Sequence, residues 1–516
     1  MARLPADLVI ENVTVITMNQ QMPFATGVAV TNGKITALLS HNGWPLKPDG
    51  VRINGNGRTL LPGLIDAHCH LRAQISQNLA VSCNRNNVTS IAQIVAAIRE
   101  KAATMPVGAW IRAVGYDPFY LQERRHPTRW DLDKATQNHP IRLRHVTRHV
   151  SVLNSAALRA AGIGADNIDP VGLRVDRDSQ TGEPTGIIYG GDSWLSKNII
   201  PPVHMDDWQN GVKLLQQKLL SKGITAVHDA TPTNTIVDLK FWAEQIKQHQ
   251  WSITTQLMAD EENHSLMSDR LAKGFSAQLQ NHLQMGPVKI VLEALPELHP
   301  SQKELIEIVT HAAERGCAAA IHVVDPEMTW AAIEAIQLAN RSDSRKQIRH
   351  RLEHVSLCPE AFVPEIAKHG IVVVTNPGLI YEHGDRYLTD VDASEHSWLY
   401  PMNSLVKADI PLAAGSDAPI AGINPWIGIQ TACTRTTQTG NKVAVHEKLT
   451  RWHALKMYTV NAALAGDWQN KRGMIQPGYE ADLILLEQNP LTCPQDALES
   501  VQVKKAWSNG NLVYQA

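Results

Sequence analysis

The chain has 516 residues, 43% of them apolar and 19% charged, with a net charge of −2, the balance of a soluble globular protein rather than a nucleic-acid binder or a polybasic membrane anchor. No apolar run approaches the length of a membrane span, and the start, Met1-Ala2-Arg3-Leu4-Pro5-Ala6-Asp7, lacks the apolar segment and cleavage pattern of a secretory signal. Six scattered cysteines with no C-x-x-C pair (Cys69, Cys83, Cys317, Cys358, Cys433, Cys493) read as free thiols in a reducing compartment, so the cytoplasm is the expected location.

Residues 7–60 have the pattern of β-structure. Apolar residues alternate along Asp7–Met18, and Val28-Ala29-Val30 meets Ile35–Leu39 across an Asn32-Gly33 turn, a hairpin signature. The far end has the same character, with a strand pattern over Ala481–Glu487 and with Val501–Trp507 meeting Leu512–Tyr514 across Asn509-Gly510. Two β-rich ends flanking a different middle predict one small β-sandwich domain assembled from residues 1–60 and 474–516.

From Leu61 strands alternate with helices. The expected strands are Leu64–His70, Gly223–Asp229, Ile253–Met258, Val288–Leu292, Cys317–Val324, His350–Val355, Ile371–Thr375 and Leu412–Ser416. An amphipathic helix over Asp206–Lys222 stops at Gly223, and a Ser301…Glu304 capping box opens a helix over Ser301–Arg315. Eight short buried strands with helical crossovers predict an α/β protein with a (β/α)8 TIM-like barrel over 61–473. The span between the first two strands, about 76–205, is too long for one crossover and reads as an inserted lid subdomain with helices at Ile91–Lys101 and Ala156–Ala161. Such a lid is expected to roof the barrel mouth, setting substrate size and excluding water. Trp110–Val114 is a strand pattern with no place in the barrel series.

Catalytic groups of such barrels sit at the C-terminal strand ends. The first strand ends in His68 and His70, which face the same way because side chains alternate along a strand. Lys289 lies on the fourth strand, His322 on the fifth, His354 on the sixth, and Asp417 ends the eighth. Each has a bland reading taken singly: a core histidine, a strand-end cap, a snorkelling lysine, a turn carboxylate. Together, at the right ends of the right strands, they suit one or two divalent cations. Tyr116, His149 and His228 are candidates to line a substrate pocket, His228 because it ends the second strand. Asp66 shares the face of His68 and is a candidate acceptor for a ligand imidazole.

Several peptides carry a specific resemblance: Pro62-Gly63-Leu64-Ile65-Asp66-Ala67-His68-Cys69-His70, Arg351-Leu352-Glu353-His354, Gly415-Ser416-Asp417-Ala418-Pro419 and Pro477-Gly478-Tyr479-Glu480-Ala481-Asp482-Leu483. In the insertion, Gly115-Tyr116-Asp117, Arg125-His126-Pro127-Thr128-Arg129, His149 with Asn154-Ser155-Ala156-Ala157-Leu158, and Thr181-Gly182-Glu183-Pro184-Thr185-Gly186 join them. By these the chain resembles the amidohydrolase superfamily, and within it the YtcJ-like branch. The resemblance implies hydrolysis of a carbon–nitrogen bond other than a peptide bond. It implies that His68 and His70 hold one metal and His322 and His354 another, with zinc the first candidate. Lys289, carboxylated on its amine, would bridge them, and Asp417 would ligate and act as the general base. A small-molecule substrate and a homodimer are the accompanying expectations.

Two departures stand out. The branch usually has Asp-Gly-Ser soon after the lysine, where this chain has Val291-Leu292-Glu293-Ala294-Leu295-Pro296, which alters the expected substrate contacts near the fourth strand. It usually has His-Ala-Ile-Gly-Asp on the fifth strand, where this chain reads His322-Val323-Val324-Asp325-Pro326. Asp325 therefore opens an alternative, a mononuclear deaminase releasing ammonia from a ring amine with help from a carboxylate near His322. A third reading is a non-catalytic, amidohydrolase-like binding protein, against which the retention of every ligand position speaks.

Overall fold

The computed structural model describes residues 4–165, 169–170, 172–201, 205–294, 297–342 and 348–516. They form two compact units, Met1–Leu71 with Gln216–Ala516, and Arg72–Leu215.

The first unit contains the barrel. Strands Leu64–Cys69, Ile224–Asp229, Thr254–Ala259, Leu283–Val291, Ala319–Val323, Arg351–His354, Val372–Thr375 and Leu412–Ala414 pair in parallel in this order. All eight correspond to the strands expected from sequence. They were readable because parallel strands are covered on both faces, and every residue of the first, second, third, sixth, seventh and eighth is buried. The ends of the series meet beyond the last strand. Asp417 N–H donates to the His68 carbonyl at 2.7 Å, and His70 N–H to the Ala418 carbonyl at 2.9 Å. The Asp66 carboxylate locks the same seam, accepting from Ser416 N–H at 2.8 Å and from its hydroxyl at 2.6 Å. Gly415 makes the approach possible, since a Cβ there would lie 2.4 Å from the His68 backbone nitrogen.

The two ends of the chain share one eight-stranded sheet, formed by Ala6–Ile16, Phe24–Thr31, Lys34–Leu39, Leu46–Asn54, Thr59–Pro62, Leu483–Leu486, Val503–Ser508 and Asn511–Gln515. Leu483–Leu486 runs antiparallel to Thr59–Pro62 and joins the two halves. Both expected hairpins are present, and Asn32-Gly33 and Asn509-Gly510 all take positive φ, as a tight two-residue turn requires. The segment Gly478–Asp482 runs between them: Tyr479 accepts from Ile35 N–H (2.9 Å), Ala481 donates to Gly33 (2.8 Å), and the Asp482 carbonyl accepts from Gly63 N–H (2.8 Å) at the start of the first barrel strand. A buried ion pair between Arg472 and the Asp482 side chain pins the segment. The apolar interior here is Leu8, Ile10, Val15, Val28, Leu60, Leu483, Leu485 and Trp507.

The second unit is built on a six-stranded mixed sheet. Its order is Leu173–Arg177, Pro184–Gly190, Val150–Leu153, Ile141–His145, Ile111–Tyr116, Val81–Ser82. The strand pattern around residues 110–114 belongs to this sheet. The helix Ile91–Ala102 turns Ile91, Ile94, Val95 and Ile98 onto Ile111, Ala113, Ile141 and Leu143. The helix Ser155–Ala161 starts at an Asn154 side-chain cap and ends at a left-handed Gly162. Among the described residues, no helix is long and apolar enough to cross a membrane.

Candidate metal centre

At the C-terminal end of the barrel, His68 Nε2 lies 3.5 Å and His70 Nε2 3.1 Å from Asp417 Oδ1. One ligand atom from each of these three side chains falls within 4.8 Å of the others, the one such group found among the described residues. The His354 ring centroid is 4.7 Å from that of His68, and the His322 centroid is 4.6 Å from that of His354. The structure thus brings four imidazoles and a carboxylate to one place from four strands. The backbone is strained where they gather: His354, Val355 and Asp417 have φ of 71°, 51° and 54°, uncommon for any non-glycine and costly for a β-branched residue.

Lys289 points into the same cluster. It is 4% exposed, and its Nζ has no hydrogen-bond partner. Burial, opposed by Glu353, brings its amine down to about 8. His322 and His354 are pushed toward the neutral form by burial, with Asp417 opposing and Lys289 adding to the shift. Asp417 is held below the usual carboxylate range: burial works against it, but its contact with His70 and its neighbours His354 and His68 outweigh that.

The ring orientations follow from the acceptors behind them. His68 Nδ1 bonds Glu353 Oε2. Glu353 lies well below its usual range, because Arg351 and His68 outweigh the effect of burial, so it is an acceptor and His68 Nδ1 carries the proton. His354 Nδ1 lies 2.7 Å from Asn376 Oδ1, and Asn376 Nδ2 in turn donates to the Gly415 carbonyl at 3.0 Å, which fixes the amide oxygen toward the ring. His68 Nε2 is therefore a lone pair aimed at Asp417, itself an acceptor. Two acceptors facing each other need a proton or a cation between them, so the donor set fits a divalent metal.

Beneath His68 lies a buried charged network. Arg351 Nε donates to Glu353 Oε1 at 2.6 Å. Its Nη2 reaches Glu353 Oε2 at 3.1 Å and the Ala67 carbonyl at 2.7 Å. Its Nη1 reaches the Ala465 carbonyl and His228 Nδ1, both at 3.2 Å. All five guanidinium donors are thus engaged. Here two expectations are corrected. His228 was expected to line the pocket, but it is fully buried, accepts from Arg351 and packs on Trp468 at 4.8 Å between ring centroids. Asp66 was expected to orient a ligand imidazole, but its carboxylate faces Ser416 and the seam, and Glu353 orients His68 instead. Asp66 is raised to about 6 by burial, with the Ser416 bonds opposing.

Asp325, the residue behind the deaminase alternative, is engaged at a helix start. Its carboxylate accepts from Met328 N–H at 2.8 Å and caps the helix Pro326–Ser342. Tyr116 and His149 belong to the second unit. Tyr116 is buried in that unit's core with its hydroxyl 2.8 Å from His126 Nδ1, and His149 is exposed, its carbonyl accepting from Gly190 N–H at 2.8 Å. In the altered peptide after Lys289, Glu293–Ala294 pairs with Leu298–His299, and Leu295-Pro296 lies outside the described residues. Sequence reasoning gave Arg351, Glu353 and Asn376 no role. Their one signal was a charged or amide side chain inside an otherwise apolar strand end.

A cluster of histidines and an aspartate at the mouth of an eight-stranded parallel barrel, joined to a sheet made from both chain ends, defines a class of metal-dependent hydrolases. The sequence model of the Amidohydrolase family matches residues 52–514, and the chain belongs to that family. Within it the chain is YtcJ-like: it is 25% identical to the putative amidohydrolase YtcJ of Bacillus subtilis (strain 168) over 494 residues, covering 91% of each chain. It is 27% identical over 540 residues to an N-substituted formamide deformylase of Arthrobacter pascens, covering 99% of this chain and 98% of that protein. In fold it is similar to an uncharacterized metal-dependent hydrolase from Pyrococcus horikoshii OT3, with a TM-score of 0.74 at 20% identity, covering 95% of this chain and 99% of that one.

Proposed function

We propose that this protein hydrolyses a carbon–nitrogen bond, other than a peptide bond, in an amide-like small molecule and that it needs a divalent metal to do so. The observation that carries the reading is the convergence of His68, His70 and Asp417 on one point at the C-terminal end of the barrel. These three would hold one cation, zinc being the first candidate for a set of imidazoles and a carboxylate. His322 and His354 would serve a second, with Lys289 as the bridge. A protonated lysine cannot ligate a cation, and a carbamate would offer two oxygens for a bridge; a buried amine brought down to about 8 and lacking any partner is suited to that modification, since the neutral amine is the form that combines with carbon dioxide. Bound metal supplies Lewis acidity, lowering the pKa of water and polarising a carbonyl.

The chain's own groups then have defined tasks. Asp417, ionised at neutral pH, takes the proton of the attacking water and returns it to the leaving nitrogen. Glu353 and Asn376 keep the ring protons of His68 and His354 on the far side, so each ring presents its other nitrogen to the site. Water adds to the carbonyl carbon, the carbon–nitrogen bond breaks, and a carboxylate and an amine leave. The near full-length similarity to a protein named for N-substituted formamides makes amides of small acyl groups the first substrate class to test.

Metal content per chain and a panel of N-substituted formamides, cyclic imides and aminopyrimidines, scored separately for carboxylate and ammonia, test the proposal. About two metals with carboxylate and amine release agree with it. A single metal with ammonia release would replace it by the deaminase reading, and a metal-free, inactive purified protein by the binding-protein reading.

A further inference from the structure

His68 and His354 rest on acceptors that need nothing further, an ionised carboxylate and an amide oxygen. His70 is different. Its Nδ1 lies 3.1 Å from the Thr231 hydroxyl, a group that can donate as readily as it accepts. Left to rotate, that hydroxyl could offer its proton to the ring and turn the wrong tautomer toward the site.

Asp229 removes the choice. The Thr231 hydroxyl is 2.6 Å from Asp229 Oδ1, and Thr231 N–H also reaches that oxygen, at 3.2 Å. The hydroxyl proton is committed to the carboxylate, so only its lone pair is left for His70, and His70 Nδ1 must donate. The backbone holds the relay in register with the ligand strand: Asp229 pairs with Cys69, and Ala230 N–H donates to the Cys69 carbonyl at 2.8 Å, one residue from His70. Asp229 is fully buried and ends the second barrel strand, and its other oxygen has no hydrogen-bond partner. Burying a carboxylate is costly, and the two Thr231 donors offset part of that cost.

We propose that Thr231 and Asp229 are positioning residues for His70, fixing its tautomer and ring plane so that its Nε2 lone pair faces Asp417, 3.1 Å away, where a cation is held. The inference rests on the metal-site reading above and assigns that site a relay on the second strand. With it, the acceptor clash already seen at His68 is doubled, because His70 Nε2 and Asp417 Oδ1 are also two acceptors in contact.

The test is zinc affinity of the full chain, measured by competition with a chromophoric chelator, alongside the melting temperature of each metal-free protein. Thr231→Val keeps the shape and loses the hydroxyl, whereas Thr231→Ser keeps the hydroxyl. The valine variant is expected to bind zinc about 10–100-fold more weakly, the usual effect of removing such a partner, and the serine variant within about threefold of the parent. Equal affinities for the parent and the valine variant overturn the relay while leaving the metal site standing. A parent protein that binds no zinc overturns both. Should the valine variant fail to fold, Thr231→Ala takes its place, because it removes the hydroxyl facing His70 without adding volume. A loss of about tenfold supports the relay, and an unchanged affinity overturns it.

Discussion

Arg351→Met is the most informative perturbation of the barrel interior. Methionine fills much of the same space but satisfies none of the five contacts that the guanidinium makes. Glu353, with no measurable exposure, would be left with His68 as its one partner, and breaking a buried pair from one side costs about 3–5 kcal/mol. The Ala67 and Ala465 carbonyls would also lose a donor, at about 1 kcal/mol each or more. A total of about 5–7 kcal/mol is comparable with the whole stability of many domains. Adding Glu353→Gln removes the stranded charge while keeping an oxygen for His68, so the double variant should regain at least about 1 kcal/mol over Arg351→Met alone. Urea unfolding of the metal-free proteins, followed by tryptophan fluorescence, reads both numbers as midpoint shifts. If Arg351→Met costs less than about 1 kcal/mol, or if the double variant is no more stable than the single, the network is not holding Glu353 as described.

Two further outcomes follow from other contacts. Gly415→Ala should abolish zinc binding and lower the melting temperature, since its Cβ would sit 2.4 Å from His68 N and 2.7 Å from His68 Cα, backbone that cannot yield without opening the seam; zinc affinity and thermal melting check it. In the second unit, burial raises the Asp131 carboxyl, but Arg125 and Thr128 outweigh it and bring it down to about 2 from 3.8. A depressed carboxylate stabilises above its unfolded pKa and loses that effect as the pH falls through the folded one. Asp131→Asn should therefore cost about 1–2 kcal/mol at pH 7 and almost nothing near pH 2, measured by denaturant unfolding across that range.

The barrel was legible because its strands are apolar runs of fixed length between amphipathic helices, and the ligands because a parallel barrel puts its chemistry at strand ends. What the sequence hid was pairing across distance. Asp66 and Glu353 are both acids beside a ligand histidine, and only the closed barrel decides that Glu353 meets His68 while Asp66 meets Ser416. His228 illustrates the same limit: its place at a strand end suggested an open wall, whereas the partner that buries it, Arg351, is 123 residues away. Asp325 looked like chemistry and is a helix cap, because a carboxylate before Pro326 serves both patterns equally well in one dimension. The segment around residues 110–114 had no place in the barrel because it belongs to a sheet whose short mixed strands carry no regular spacing.

The sheet shared by the chain's two ends imposes an order on biogenesis. Arg58 grips Glu487 across 429 residues, and the strand Thr59–Pro62, which leads into the His68 strand, has its antiparallel neighbour at Leu483–Leu486. At ribosomal rates of about 5–20 residues per second, that neighbour arrives roughly 20–90 s after the strand it must meet. Through that interval Thr59–Pro62 waits with one edge unpaired. The sheet that leads into the first barrel strand is therefore completed only after His68 and Asp417 have both been made.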